Sequence, residues 1–161
     1  MRTVRLVAPL AALLAVAASP GIAHAAAITQ SFYADSGDAC RYGVTDGALD
    51  WRYGATSPLP MLGVNVSGKL IDQPLPSGPV ACADDRYYSS ATYIAYSGTV
   101  EVDRQTRVAD NGVTTFAFTL GANAASTGIS RVVIQVCRNP IVTLPPSYCG
   151  KPATYLAPPV A

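Results

Sequence analysis

Histidine is almost missing from this chain. The single one in 161 residues, His24, falls inside an N-terminal stretch that reads as a leader. A folded domain without imidazole lacks the commonest general base at neutral pH, so Ser-His-Asp and Cys-His catalysis are excluded for it. The patterns G-x-S-x-G and S-x-x-K are absent as well. Charge is equally scarce, at 13% of residues. The 11 basic side chains, which include Arg2 and Arg5 of the leader, stand against 10 acidic ones. Such a balance offers no basic face for nucleic acid and no attraction to anionic membranes. No segment keeps a helical period, and the C-terminal TYLAPPVA has neither an apolar span nor a basic stop, so no membrane anchor is expected.

What is present begins with the leader. Arg2 and Arg5 precede the apolar run VAPLAALLAVAA, Ser19-Pro20-Gly21 breaks it, and Ala23-His24-Ala25 fits a small-x-small cleavage site. Cleavage is expected after Ala25. Residues 1–25 are then a signal peptide and residues 26–161 a single secreted domain, long enough for a core of its own. Arginine outnumbers lysine and alanine is abundant, as in proteins from GC-rich bacterial genomes.

Four cysteines follow the leader: Cys40, Cys82, Cys137 and Cys149. An even count in a secreted chain implies two disulfides, with three connectivities open. Cys40–Cys82 with Cys137–Cys149 is favoured, because the second pair flanks a short proline-containing loop that can close on itself. Chain entropy assigns ~3 kcal/mol to the short loop and ~4 kcal/mol to the long one. A zinc site is disfavoured by the missing histidine and the lack of C-x-x-C spacing, and no cofactor is called for.

Elsewhere the pattern has period two. Leu62, Val64, Val66 and Leu70 share one face of MLGVNVSGKLID, and Phe116, Phe118 and Leu120 share one face of VTTFAFTL. Val132, Ile134 and Val136 alternate with Arg131, Val133 and Gln135 in a strand expected to be covered on both sides. Asp46-Gly47, Ser97-Gly98 and Asn111-Gly112 read as tight turns, the last as the clearest hairpin. Proline-rich stretches at 58–60, 74–79 and 140–146 read as loops. The expected fold is therefore all-β: a two-layer antiparallel Greek-key sandwich of seven to nine strands with two disulfides. The part before residue 57 is either an added hairpin or a piece of the sandwich.

The rhythm of VSGKLIDQPLP…ATYIAYSGTVEVDRQTRVADNGVTTFAFTL resembles prealbumin-like extracellular modules of the carboxypeptidase-regulatory-like and collagen-adhesin B types. That resemblance, over roughly residues 66–138, implies an immunoglobulin-like or prealbumin-like sandwich serving as a structural or binding module without catalysis. It also raises an intramolecular Lys–Asn bond promoted by an acid, for which Lys69, Glu101 and Asn139 are the available residues. The long Cys82 loop and the Cys137–Cys149 loop depart from the family pattern.

Candidate binding residues are few. Trp51-Arg52-Tyr53 is similar to the signature triplet of secreted α-amylase inhibitors of the tendamistat type, which display it at an exposed turn. Here no close pair of cysteines brackets the triplet. The residues themselves favour a different reading: Leu49, Trp51 and Tyr53 alternate on one face as a core strand, with Asp50 and Arg52 wet. Tyr87 and Tyr88 are the pair of tyrosines expected to be exposed, suited to a protein or polysaccharide partner. Asp84-Asp85 and the ADSGDA segment lack the spacing of calcium loops and read as solvated. Asn65-Val66-Ser67 matches a glycosylation sequon, read as accidental inside a strand. Overall the sequence points to a secreted, non-catalytic binding or structural module, with a secreted hydrolase inhibitor as the alternative.

Overall fold

Alternating apolar side chains need a second apolar face to bury against, and the chain supplies it by folding two sheets onto each other. A computed structural model describes residues 27–54, 61–73, 82, 86–121, 128–143 and 145–159. The leader, Asp84-Asp85 and the proline-rich stretches at 58–60 and 74–79 lie outside them. Among the described residues there are nine strands: β1 (Ala27–Asp35), β2 (Gly43–Tyr53), β3 (Met61–Asp72), β4 (Tyr87–Ser97), β5 (Val100–Ala109), β6 (Val113–Leu120), β7 (Arg131–Pro140), β8 (Tyr148–Cys149) and β9 (Ala153–Leu156).

All pairing is antiparallel. One sheet runs β1-β2-β3-β6; the other runs β5-β4-β7-β8, with β9 also on β7. Because β6 returns beside β3 while β4 and β5 lie in the opposite sheet, and β7 then returns beside β4, two Greek keys overlap. The chain before residue 57 is part of the sandwich, since β1 and β2 make up half of the four-stranded sheet.

The core is what the alternation predicts. Leu49, Trp51, Val64, Val66 and Leu70 of one sheet face Ala91, Tyr93, Ala95, Val132, Ile134 and Val136 of the other, all of them buried. Trp51 is fully buried, and its indole Nε1 donates to Gln30 Oε1 at 3.1 Å. At the centre Tyr93 packs edge-on or tilted against Phe32, Phe116 and Phe118, with ring centroids 5.2–6.0 Å apart. Its hydroxyl meets Thr45 Oγ1 at 2.7 Å, and Thr45 Oγ1 donates to the Lys69 carbonyl at 2.8 Å. This chain of hydrogen bonds satisfies the polar atoms that an aromatic core would otherwise strand.

Two expected turns differ. Asp46-Gly47 is not a turn: β2 runs straight through it, and Gly47 pairs with Gly68 of β3. A Cβ at Gly47 would sit 2.1 Å from the Ser67 carbonyl oxygen and 2.9 Å from Phe32 Cε1. Glycine is there so that β2 can lie close against the β3 backbone and under the Phe32 ring, and this demand overrides the turn signal. Asn111-Gly112 does turn the chain, with Asn111 at φ 46, but β5 and β6 belong to different sheets. The hairpin is instead a cross-sheet corner. Ser97-Gly98 closes the β4–β5 hairpin as expected, with Gly98 at φ 58.

The edge strands are protected in two ways. β5 carries Glu101, Asp103, Arg104 and Arg107, charges that discourage edge-to-edge pairing. On β1, the Tyr155 hydroxyl accepts from the Tyr33 N–H and donates to the Tyr33 carbonyl, both at 2.8 Å. A side chain of β9 thereby occupies backbone groups that a foreign strand would otherwise take.

Burial raises the pKa of the Tyr93 phenol well above its ordinary value of 10.0. Above about pH 10 the unfolded chain therefore releases a proton that the folded chain keeps, so stability falls as pH rises. Alkaline unfolding curves of wild type and Tyr93→Phe should diverge from that pH upward. The variant should lose less, by up to ~1.4 kcal/mol per pH unit. Superimposable slopes would contradict the assignment.

Candidate functional site: a disulfide-closed loop and its charged base

β7 ends in Arg138-Asn139-Pro140, and the chain returns at Tyr148 as β8, followed by Gly150. Proline at 140, 145 and 146 prevents the segment from extending the sheet, so it leaves the sandwich as a loop. The Cys137–Cys149 bridge joins residues directly opposite each other on β7 and β8, and Cys40–Cys82 is bonded as well. Among the described residues no cysteine is free.

The base of the loop is pinned from both sides. Ile141 N donates to the Arg86 carbonyl at 3.0 Å, and Gly150 N donates to the Val136 carbonyl at 2.9 Å. Gly150 is buried, and a Cβ there would fall 1.9 Å from the Asp35 carbonyl oxygen. Only glycine lets the returning chain press against the β1–β2 connection. Beyond this base the loop is apolar and wet: Ile141 is 55% exposed and Val142 60%. Pro145, Pro146 and Tyr148 are exposed too. The Tyr148 ring lies 5.7 Å from that of Tyr87, tilted by 60°, and links the loop to β4.

Underneath sits a charged cluster that the sequence reading did not single out. Arg138 and Asp72, both 1% exposed at the side chain, form an ion pair between the two sheets. Ser89, on β4, donates from Oγ to Asp72 Oδ1 at 2.8 Å and accepts from Arg138 Nη1 at 2.7 Å. Asp72 Oδ2 accepts from the Asn111 N–H at 2.9 Å, and Arg138 Nη2 donates to the Tyr87 carbonyl at 3.3 Å. The guanidinium also lies over the rings of Tyr42 and Tyr87, at 5.1 and 5.9 Å from their centroids. Burial lowers the Arg138 pKa below the usual arginine value, yet pairing on this scale keeps the group charged. Ser89 has its proton committed to a carboxylate and a lone pair committed to a cation. The arrangement holds the hydroxyl rather than activating it.

The predicted site residues separate. Trp51 and Tyr53 of the triplet are core, the latter donating from its hydroxyl to the Pro158 carbonyl at 2.5 Å. Only Arg52 is displayed, and β2 continues through the triplet as strand. An exposed-turn triplet is thus ruled out by the same alternation that favoured a core strand. Tyr87 and Tyr88 are each half-buried and, as strand neighbours, point to opposite sides of their sheet. Tyr87 joins the loop and Arg138, whereas Tyr88 stands on the outer face opposite Asn139.

Lys69, Glu101 and Asn139 do not meet. Lys69 lies 3.8 Å from Asp46, Glu101 binds Arg104, and Asn139 donates to Ser90 Oγ at 2.8 Å. Among the described residues no group of three or more His, Cys, Asp or Glu is placed to hold a metal ion.

Comparison with protein-family models, with curated proteins and with solved structures returns no match for this chain.

The bridge constrains a loop of sequence separation 12. Replacing both Cys137 and Cys149 by serine should lower unfolding free energy by about 3 kcal/mol, measured by denaturant titration with Cys40–Cys82 intact. An unchanged midpoint would mean that the backbone bonds at the loop base hold it without the bridge.

Proposed function

We propose that the protein is a secreted, non-catalytic β-sandwich module that docks onto a protein partner through the Cys137–Cys149 loop. The observation that carries this reading is the pairing of exposure with restraint. Ile141 and Val142 are more than half exposed on a segment fixed at both ends by a disulfide and backbone hydrogen bonds. Exposed apolar side chains supply binding energy when a partner covers them. A restrained loop loses little conformational entropy on docking. Tyr148 and Tyr87 add two flat amphipathic surfaces at the loop's edge.

Secretion is supported by the leader pattern of residues 1–25 and by two disulfides, which persist in oxidising compartments. The absence of histidine after residue 24 and the engaged state of Ser89 support a role without catalysis. Inhibition of a secreted hydrolase is the second reading. It rests on the same loop, whose prolines and bridge suit insertion into an enzyme cleft, and no longer on the Trp-Arg-Tyr triplet.

The Ile141→Ser/Val142→Ser double variant separates docking from folding. Both side chains are exposed, so stability should change by only about 0.5 kcal/mol. Capture of secreted proteins on immobilised wild type, and any inhibition of a panel of proteases and glycosidases, should fall at least about tenfold with the variant. Equal capture and inhibition by both proteins would remove the loop from the docking surface.

A further inference from the structure

The outer face of the four-stranded sheet carries a feature separate from the loop. β2 and β3 shift register at Arg52/Tyr53, and the residue opposite Arg52 is Gly63, at φ 135. A Cβ on Gly63 would lie 3.0 Å from the Leu120 carbonyl oxygen and 3.3 Å from Thr119 Cγ2. The backbone conformation and the space both require glycine, so no side chain rises opposite Arg52. Bulges of this kind re-aim a side chain locally. Beside Arg52 an open groove of about 450 Å³ is bordered by Arg52, Asn65, Ser67, Ala117 and Thr119. Val66 and Phe118 also border it, and both pack against the core.

This groove is rich in hydrogen-bond donors. Thr119 Oγ1 donates to Asn65 Oδ1 at 2.8 Å, which fixes the amide and leaves Asn65 Nδ2 as a donor. Ser67 adds a hydroxyl. Arg52 is exposed, and among the described residues no carboxylate lies within ion-pair distance of it. The nearby acids are engaged elsewhere: Asp50 accepts from Thr29 Oγ1 at 2.6 Å, and Asp46 faces Lys69. A guanidinium, an amide N–H and a hydroxyl therefore border one groove, and the nearest carboxylate, Asp50 opposite Asn65, is held toward Thr29. Such a site favours an anionic ligand rich in oxygen acceptors. The groove is open and offers no apolar side-chain recess for a peptide residue. That favours a saccharide chain lying across the strands.

We propose that this groove binds one uronate unit of an acidic polysaccharide, with Arg52 on the carboxylate and Asn65 and Ser67 on ring hydroxyls. The site is independent of the Cys137–Cys149 loop, and failure of either leaves the other standing.

Tri-galacturonate and the neutral trimer maltotriose are the probes, titrated into the mature protein while backbone amide NMR shifts are followed. Tri-galacturonate should saturate shifts at Arg52, Asn65, Ser67 and Thr119, and binding should weaken with added salt. Arg52→Gln should fold with an unchanged melting temperature and bind tri-galacturonate at least about tenfold more weakly. Maltotriose should bind wild type at least about tenfold more weakly than the acidic trimer. Equal affinity for the two trimers, an Arg52→Gln variant that binds like wild type, or shifts confined to residues outside the groove would overturn the proposal.

Discussion

One carboxylate joins most of this molecule. Asp72, at the inward end of β3, receives the Arg138 guanidinium from β7, the Ser89 hydroxyl from β4 and the Asn111 amide from the corner between β5 and β6. Its own backbone N–H donates to Gly112 at 2.8 Å. Both sheets and the cross-sheet corner thus meet on a single side chain. Transferring two charges out of water costs several kcal/mol per ion, which the attraction must offset through geometry and additional hydrogen bonds. Here each Asp72 oxygen has at least one donor, and the guanidinium has a carboxylate, a hydroxyl, a carbonyl and two aromatic faces. An apolar contact tolerates sliding of one sheet over another. A directional cluster of this kind fixes their relative position.

That fixed position explains where a rigid loop can be displayed. Arg138 is one residue beyond Cys137 and pairs with Tyr148 across β7 and β8. The disulfide-closed loop therefore stands directly on the buried cluster, with Tyr87 touching both. The opposite end of β2, where Tyr53 reaches Pro158, carries the register shift beside the exposed Arg52. Buried charge at one end and a backbone irregularity at the other both depart from a plain sandwich. The proposed docking loop and the proposed saccharide groove lie beside them.

Much of this was legible in period two, because burial on one face of a strand writes itself into alternate residues. Leu49, Trp51 and Tyr53, or Val132, Ile134 and Val136, named their own sides, and the cysteine spacing matched its bridges. The same period, carried one step further, also reaches the charged cluster. Asp72 follows Leu70 by two, Arg138 follows Val136 by two and Ser89 precedes Ala91 by two, so all three fall on inward positions. Alternation alone does not single them out, because a polar residue at a strand end ordinarily turns to water. Only their meeting in space reverses that expectation. Gly47 and Asn111 misled for a related reason: a glycine or asparagine signals backbone freedom but does not say whether a turn, a ring packed above or a change of sheet will use it.

A double-mutant cycle on Asp72→Ala and Arg138→Ala tests the central claim most directly. Each single change strands a buried charge and should cost about 3–5 kcal/mol, while the double variant should cost little more than either one alone. A coupling of about 2 kcal/mol or more, read from denaturant unfolding, is the predicted result. Additive losses, with coupling near zero, would show that the two sheets are held by apolar packing alone and would contradict the account.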